Sequence, residues 1–320
     1  MKNVTILEAL QVQVDDQVDL ISLWPANDVA SPDLVLYAGS GELEIMTQAD
    51  VSKWTVATQQ RYPNAQHQFV SMACNSLHAA ILEFERSKAQ CAYVFLLEIS
   101  KKYLQKLLDS ALGDNPDPIT VHACAGRVVL RKATTEDIKE SDLVVRACSI
   151  LAKPKGLMSD VLLLKKLQNW IGENIKESQP VELVSFQVSS TWSDQLLMGF
   201  KRWVQDSPAI AAILPSYETG EDHYLALKPL LELQRYHSVL PKNNMMLATL
   251  GGGGRLGVLL LQMGRKSSLG FKSESVIPIT LEDINLGLNQ VIERVSPPRY
   301  CEINYRNDNA YFFSGIQRLL

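Results

Sequence analysis

The chain contains no C-x-x-C pair. Its five cysteines, at 74, 91, 124, 148 and 301, are odd in number and widely spaced. That excludes a zinc-ribbon ligand set and a disulfide framework, and it predicts a reducing compartment. Histidine is scarce too, with five residues, and no metal site is expected. No apolar run reaches the roughly 18 residues a membrane-spanning helix needs, so no membrane partner is expected. The opening MKNVTILEALQVQVDD lacks the long apolar core of a secretion signal, and a cytoplasmic protein is the expectation. A basic excess is missing: the formal charge of −4 argues against a nucleic-acid partner.

What the chain does have is ordinary globular material. With 320 residues, 46% of them hydrophobic, it can bury a core without disulfides or metal. Apolar strand patterns alternate with helical ones. Val4 to Val14, Asp33 to Ala38, His67 to Met72 and Cys91 to Ile99 read as strands. Thr47 to Tyr62 and Asn75 to Lys88 read as helices. Ile119 to Leu130 reads as a strand broken near Ala125-Gly126, and Leu143 to Leu151 as another. After a helix over Leu157 to Glu177 the rhythm repeats. Strands are expected at Val181 to Val188, Lys242 to Leu250 and Leu256 to Met263, and helices at Ser193 to Val204 and Tyr224 to Tyr236. The pattern predicts an α/β fold. Ala125-Gly-Arg-Val-Val-Leu130 and Gly253-Gly-Arg-Leu-Gly-Val-Leu259 echo one another, one late in each half, as duplicated halves would.

One stretch raises the question of chemistry. In FVSMACNSLHAAILEF (69–84) an apolar strand pattern stops at Cys74 and a helical pattern starts at once. A helix start offers unpaired N–H groups and partial positive charge, which stabilise a thiolate. Cys74 is therefore either a nucleophile or a small buried residue at a turn. Gly251 to Gly254 lacks the Gly-Lys-Ser/Thr ending of a phosphate loop and leads into a strand. Its N–H groups suit an oxyanion hole, with Gly252 and Gly253 nearest the substrate. His223, beside Glu221 and Asp222, is a candidate general base in an acidic turn. His78, His122 and His237 read as structural.

The segment QHQFVSMACNSLHAAILEFERSKAQCAYVFLLEI resembles the nucleophile region of thiolase-fold condensing enzymes, most closely the β-ketoacyl-acyl-carrier-protein synthase III type. CAGRVVLRKA is similar to the strand closing that family's first half, and NMMLATLGGGGRLGVLLLQMG to its C-terminal glycine hairpin. The resemblance covers roughly Val4 to Gly264. It implies two similar βαβ halves with central buried helices between mixed sheets, at 1–152 and 153–265. From Lys266 the chain is more polar, with Pro297-Pro298 as a break, and 266–320 reads as an appended tail. The resemblance also implies a dimer and a Cys-His-Asn trio.

Only the cysteine of that trio has a match, at Cys74. Phe186 stands at the position of the family's His and lines the substrate site, and Glu221 stands at that of its Asn. The implied activity is a ketosynthase III-like acyltransferase. It takes an acyl group from coenzyme A or a phosphopantetheinyl carrier protein onto Cys74, without any bound cofactor, and transfers or condenses it in a specialised-metabolite or fatty-acyl pathway. The alternative is a degenerate, non-catalytic subunit that pairs with an active ketosynthase. Homodimer and heterodimer both remain open.

Overall fold

The computed structural model describes residues 4–14, 18–25, 30–40, 49–100, 104, 120–134, 137–139, 142–154, 159–175, 181–187, 199–200, 202–203, 213–214, 222–236, 244–251, 255–263 and 317–318. The first half runs β1 (Val4–Val14), β2 (Leu34–Gly39), α1 (Ala49–Arg61), β3 (Gln66–Ser71), α2 (Ser76–Arg86), β4 (Cys91–Glu98), β5 (Thr120–Val121) and β6 (Cys124–Ala133). The second runs β7 (Leu143–Ala152), α3 (Ser159–Asn174), β8 (Val181–Gln187), β9 (Ile213–Leu214), β10 (Asp222–His223), α4 (Lys228–Tyr236), β11 (Asn244–Gly251) and β12 (Arg255–Met263). A last strand, β13 (Gln317–Arg318), returns to the first half.

Among the described residues eleven strands form one sheet, ordered β13-β3-β2-β4-β6-β1-β7-β12-β11-β8-β9. The order carries a duplication. In the first half β1 pairs antiparallel with β6, β6 antiparallel with β4, β4 parallel with β2 and β2 parallel with β3. In the second half β7, β12, β11, β8 and β9 repeat that sequence of neighbours and directions. The halves meet where β1 and β7 pair over Thr5–Leu7. Because β7 pairs with β12 along its length, it is the first strand of the second half, and the repeat starts near 143 rather than 153. Strand periodicity identifies a strand but carries no information about which sheet it joins.

Alternating residues of each strand bury two different faces. On β2, Val35 and Tyr37 pack with Trp54 of α1, whereas Leu34, Leu36 and Ala38 pack with Leu77, Ile81 and Phe84 of α2. On β12, Leu256, Val258 and Leu260 pack with Leu163, Leu167 and Trp170 of α3, whereas Leu259 and Leu261 join α2 and Leu230 and Leu231 of α4. The layers are thus α1, first-half sheet, α2 with α4, second-half sheet, α3. α2 is apolar over most of its circumference because both flanking layers are protein, whereas α4 buries Lys228 and Glu232 beside its leucines. Gly126 admits this packing: a Cβ there would lie 2.9 Å from Gln11 O and 3.2 Å from the side chains of Leu227 and Leu230. β6 runs unbroken through Gly126, and the interruption falls earlier, at His122-Ala123. None of the described helices is long and apolar enough to cross a membrane.

Candidate functional site

The turn from β3 into α2 builds the candidate site. Met72 has φ −147° and ψ 29°, Ala73 adopts φ 47°, and Ala73–Asn75 form one 3-10 turn before α2 begins. A left-handed backbone costs a non-glycine residue roughly 1–2 kcal/mol. Such strain persists where the surrounding structure holds it, characteristically at functional turns. Here Ser76 holds it. Its hydroxyl accepts the Met72 N–H at 3.0 Å and lies 2.7 Å from Ala73 O and 3.0 Å from Gly39 O, at the end of β2.

Two further side chains fasten the turn to the glycine hairpin. Asn75 Nδ2 donates to Arg255 O at 2.8 Å, and its Oδ1 accepts the Gly257 N–H at 3.1 Å. His78 lies fully buried against Gly257, where an added Cβ would come 2.7 Å from Nδ1. Burial pushes the His78 pKa down to about 4, and the Leu247 carbonyl opposes this only in part. The ring is therefore neutral at physiological pH and fills space, in keeping with the structural role read for it.

The second half repeats the turn. Leu225 adopts φ 45°, Leu225–Leu227 form one 3-10 turn, and α4 follows. Ala73, Asn75 and His78 thus correspond to Leu225, Leu227 and Leu230. Asn75 and His78 face Gly257 of β12, and Leu227 and Leu230 face Gly126 of β6. By this correspondence Cys74 matches Ala226.

The two turns pack on one another, and Cys74 sits at their junction. It is 3% exposed, in an apolar cluster with Leu104, Val121 and Leu225. Val121 is the ladder partner of His223, in a small parallel sheet formed by β5 and β10. The fold therefore brings the backbone of the His223 segment beside the Cys74 turn. His122 stacks on Tyr224, with ring centroids 4.8 Å apart. Phe186 lies on β8 opposite Ala248 of β11. Glu221, Gly252, Gly253 and His237 lie outside the described residues.

Sequence reasoning missed Glu98. It ends β4, is 2% exposed, and its Oε1 accepts from Ser40 Oγ at 2.7 Å and from the Ala226 N–H at 3.2 Å. A buried carboxylate thus ties the end of the first-half sheet to the second strained turn. The signal available was one acidic residue closing a continuous apolar strand, which reads equally well as a strand end at the surface.

No protein-family model and no curated protein matches the chain. Solved structures do. The ishigamide ketosynthase/chain length factor aligns over 74% of this chain and 75% of its own, with TM-score 0.54 and 14% identity. The ketosynthase from module 1 of the bacillaene synthase of Bacillus amyloliquefaciens aligns over 77% of this chain and 56% of its own, with TM-score 0.51 and 15% identity. A 3-oxoacyl-(acyl carrier protein) synthase III of Pseudomonas aeruginosa aligns over 83% of this chain and all of its own, with TM-score 0.48 and 14% identity. The chain has the thiolase-like α/β fold of condensing enzymes.

Proposed function

We propose that this protein is a ketosynthase-like subunit that handles an acyl thioester of coenzyme A or a carrier protein without forming an acyl-enzyme, and that it partners an active ketosynthase in the cytoplasm. The observation that carries this reading is the place of the strain. In the strand-to-helix elbow of α/β-hydrolases the nucleophile occupies the strained residue of the turn, and the turn here has the same strand-to-helix form. Here that residue is Ala73, which has no nucleophile. Cys74, one position on, packs among Leu104, Val121 and Leu225. Phe186, where the resembled family has its His, adds no proton-transfer group. The test is co-expression of the tagged chain with the ketosynthase encoded nearest to it. A stoichiometric complex that outperforms the synthase alone supports the reading, and two separately migrating proteins with no change in synthase activity refute it.

A second reading is the Cys74 acyltransferase. It is favoured by Cys74 lying in the first turn before α2, beside the ladder that carries His223. In that reading Cys74 attacks the thioester carbonyl, the donor thiol leaves with a proton, and His223 or Glu221 prepares an incoming amine or hydroxyl.

A further inference from the structure

The two elbows are fastened differently, and the difference points to Glu98. Gly126 and Gly257 are counterparts, because each receives the same two positions of the turn and helix packed against it. On the ladders beside them, Leu96 pairs with Gly126 and Glu98 with Cys124, while Thr249 pairs with Gly257 and Gly251 with Arg255. Glu98 of β4 and Gly251 of β11 therefore hold equivalent places, each ending a strand against one elbow.

At the first elbow the polar clamp comes from the turn. Asn75 reaches Arg255 O and the Gly257 N–H, and a side chain at 251 would collide with it, a Cβ lying 2.7 Å from Nδ2. At the second elbow Leu227 takes the place of Asn75 and has no polar group to offer. There the clamp comes from the strand. Glu98 Oε1 accepts the Ala226 N–H at 3.2 Å, one residue past the strained Leu225. The same oxygen accepts from Ser40 Oγ at 2.7 Å, and Ser71 Oγ donates to Ser40 O at 3.2 Å. Ser71 ends β3, directly before Met72 and the first elbow. Ser71, Ser40 and Glu98, each 5% exposed or less, so form one buried polar chain from elbow to elbow. Water does not compete for such bonds, and losing the acceptor would leave two buried donors unsatisfied.

We propose that Glu98 is a positioning residue that holds the second elbow in register with the first. In doing so it fixes Tyr224 against His122, and the His223 backbone beside the Cys74 turn. Its effect on an acyl thioester rests on the proposed function, and its hold on the elbow does not.

The test compares the full-length wild type with Glu98→Ala, Glu98→Gln and Ser40→Ala, each first shown to be folded by thermal unfolding. Phe84→Leu, a core change on α2, is the stability control. The Ala226 amide should exchange about tenfold or more faster in Glu98→Ala, as expected for loss of a buried acceptor. Glu98→Gln keeps an acceptor oxygen and should stay nearer to wild type. Ser40→Ala deletes only a hydroxyl and should give a smaller increase in the same amide, so it carries the test if Glu98→Ala does not fold. His122 proton signals lie in the ring current of Tyr224. They should shift in Glu98→Ala and hold in Phe84→Leu. Affinity for octanoyl-coenzyme A should fall about tenfold in Glu98→Ala, as misplacement of a site predicts. Unchanged Ala226 exchange in Glu98→Ala, a Gln variant as fast as the Ala variant, or the same changes in Phe84→Leu would each overturn the role. A wild type that binds no octanoyl-coenzyme A would overturn the thioester reading instead, and the exchange and His122 measurements would still decide Glu98.

Discussion

Asn75 Oδ1 accepts the N–H of Gly257 at 3.1 Å, across a gap that leaves no room for a side chain at 257. A Cβ there would sit 2.5 Å from that same oxygen and 2.7 Å from His78 Nδ1. Both neighbours are short, buried side chains and cannot swing away. Gly257→Ala should therefore destabilise the protein by about 2–3 kcal/mol, as overpacking does. Chemical denaturation would show it as a lowered midpoint at unchanged slope. Asn75→Ala in the same background should recover part of the loss, because the two changes share one space.

Ala73 and Leu225 share one backbone conformation but differ in what a glycine would do. Ala73→Gly relieves a left-handed residue at the loss of one methyl, and should stabilise by about 1 kcal/mol. Leu225→Gly relieves the same strain but empties a buried side chain from the Cys74 cluster. It should destabilise by about 2–4 kcal/mol, because cavity formation outweighs the strain. Thermal unfolding should thus move in opposite directions for the two variants.

His78 predicts an acid limit to stability. Its folded pKa, about 4, lies below the ordinary 6.5 because burial disfavours the charged ring. The unfolded chain binds the proton first, so this contribution is complete above pH 6.5 and is lost as pH falls toward 4. The loss is about 3 kcal/mol. His78→Leu, which copies Leu230 of the second half, should flatten that part of the stability profile. An unchanged profile would show that another group titrates there.

Two other cysteines should be inert. Burial, with Asp33 and Glu8 nearby, pushes Cys91 up to about 11. Burial also raises Cys148 well above an ordinary thiol, and it donates to His78 O at 3.6 Å. Because the thiolate is the reactive form, peptide mapping after brief iodoacetamide treatment at neutral pH should leave both unmodified. Both should react fully after denaturation.

Much of this was legible in the sequence. Alternation located β1, short apolar runs located β2 to β4, and the apolar faces of α1 and α2 follow helical spacing. Asn75 and Ser76 after Cys74 are compatible with a helix start. The echo between Ala125-Gly126-Arg127 and Gly253-Gly254-Arg255 pointed to β6 and β12, although the packing matches Gly126 with Gly257, three residues further on. Four features were not legible, for physical reasons. The allegiance of β7 depends on long-range pairing. The strain at Ala73 is invisible because alanine has no preference for a left-handed backbone and is held there by Ser76. Glu98 finds its partners 58 and 128 residues away in the chain, and no local pattern announces them. The small sheet of β5 and β10, which brings the His223 backbone to the Cys74 turn, is two residues long and below the reach of periodicity.

The central claim is that the strained position of the elbow is residue 73 and not Cys74. The most direct test is intact-protein mass after incubation with acyl-coenzyme A and acyl-carrier thioesters, comparing wild type, Cys74→Ala and Ala73→Cys. The account predicts no mass gain for wild type or Cys74→Ala, and one acyl group on Ala73→Cys. An acyl group on wild type that Cys74→Ala abolishes would contradict it and establish Cys74 as the nucleophile.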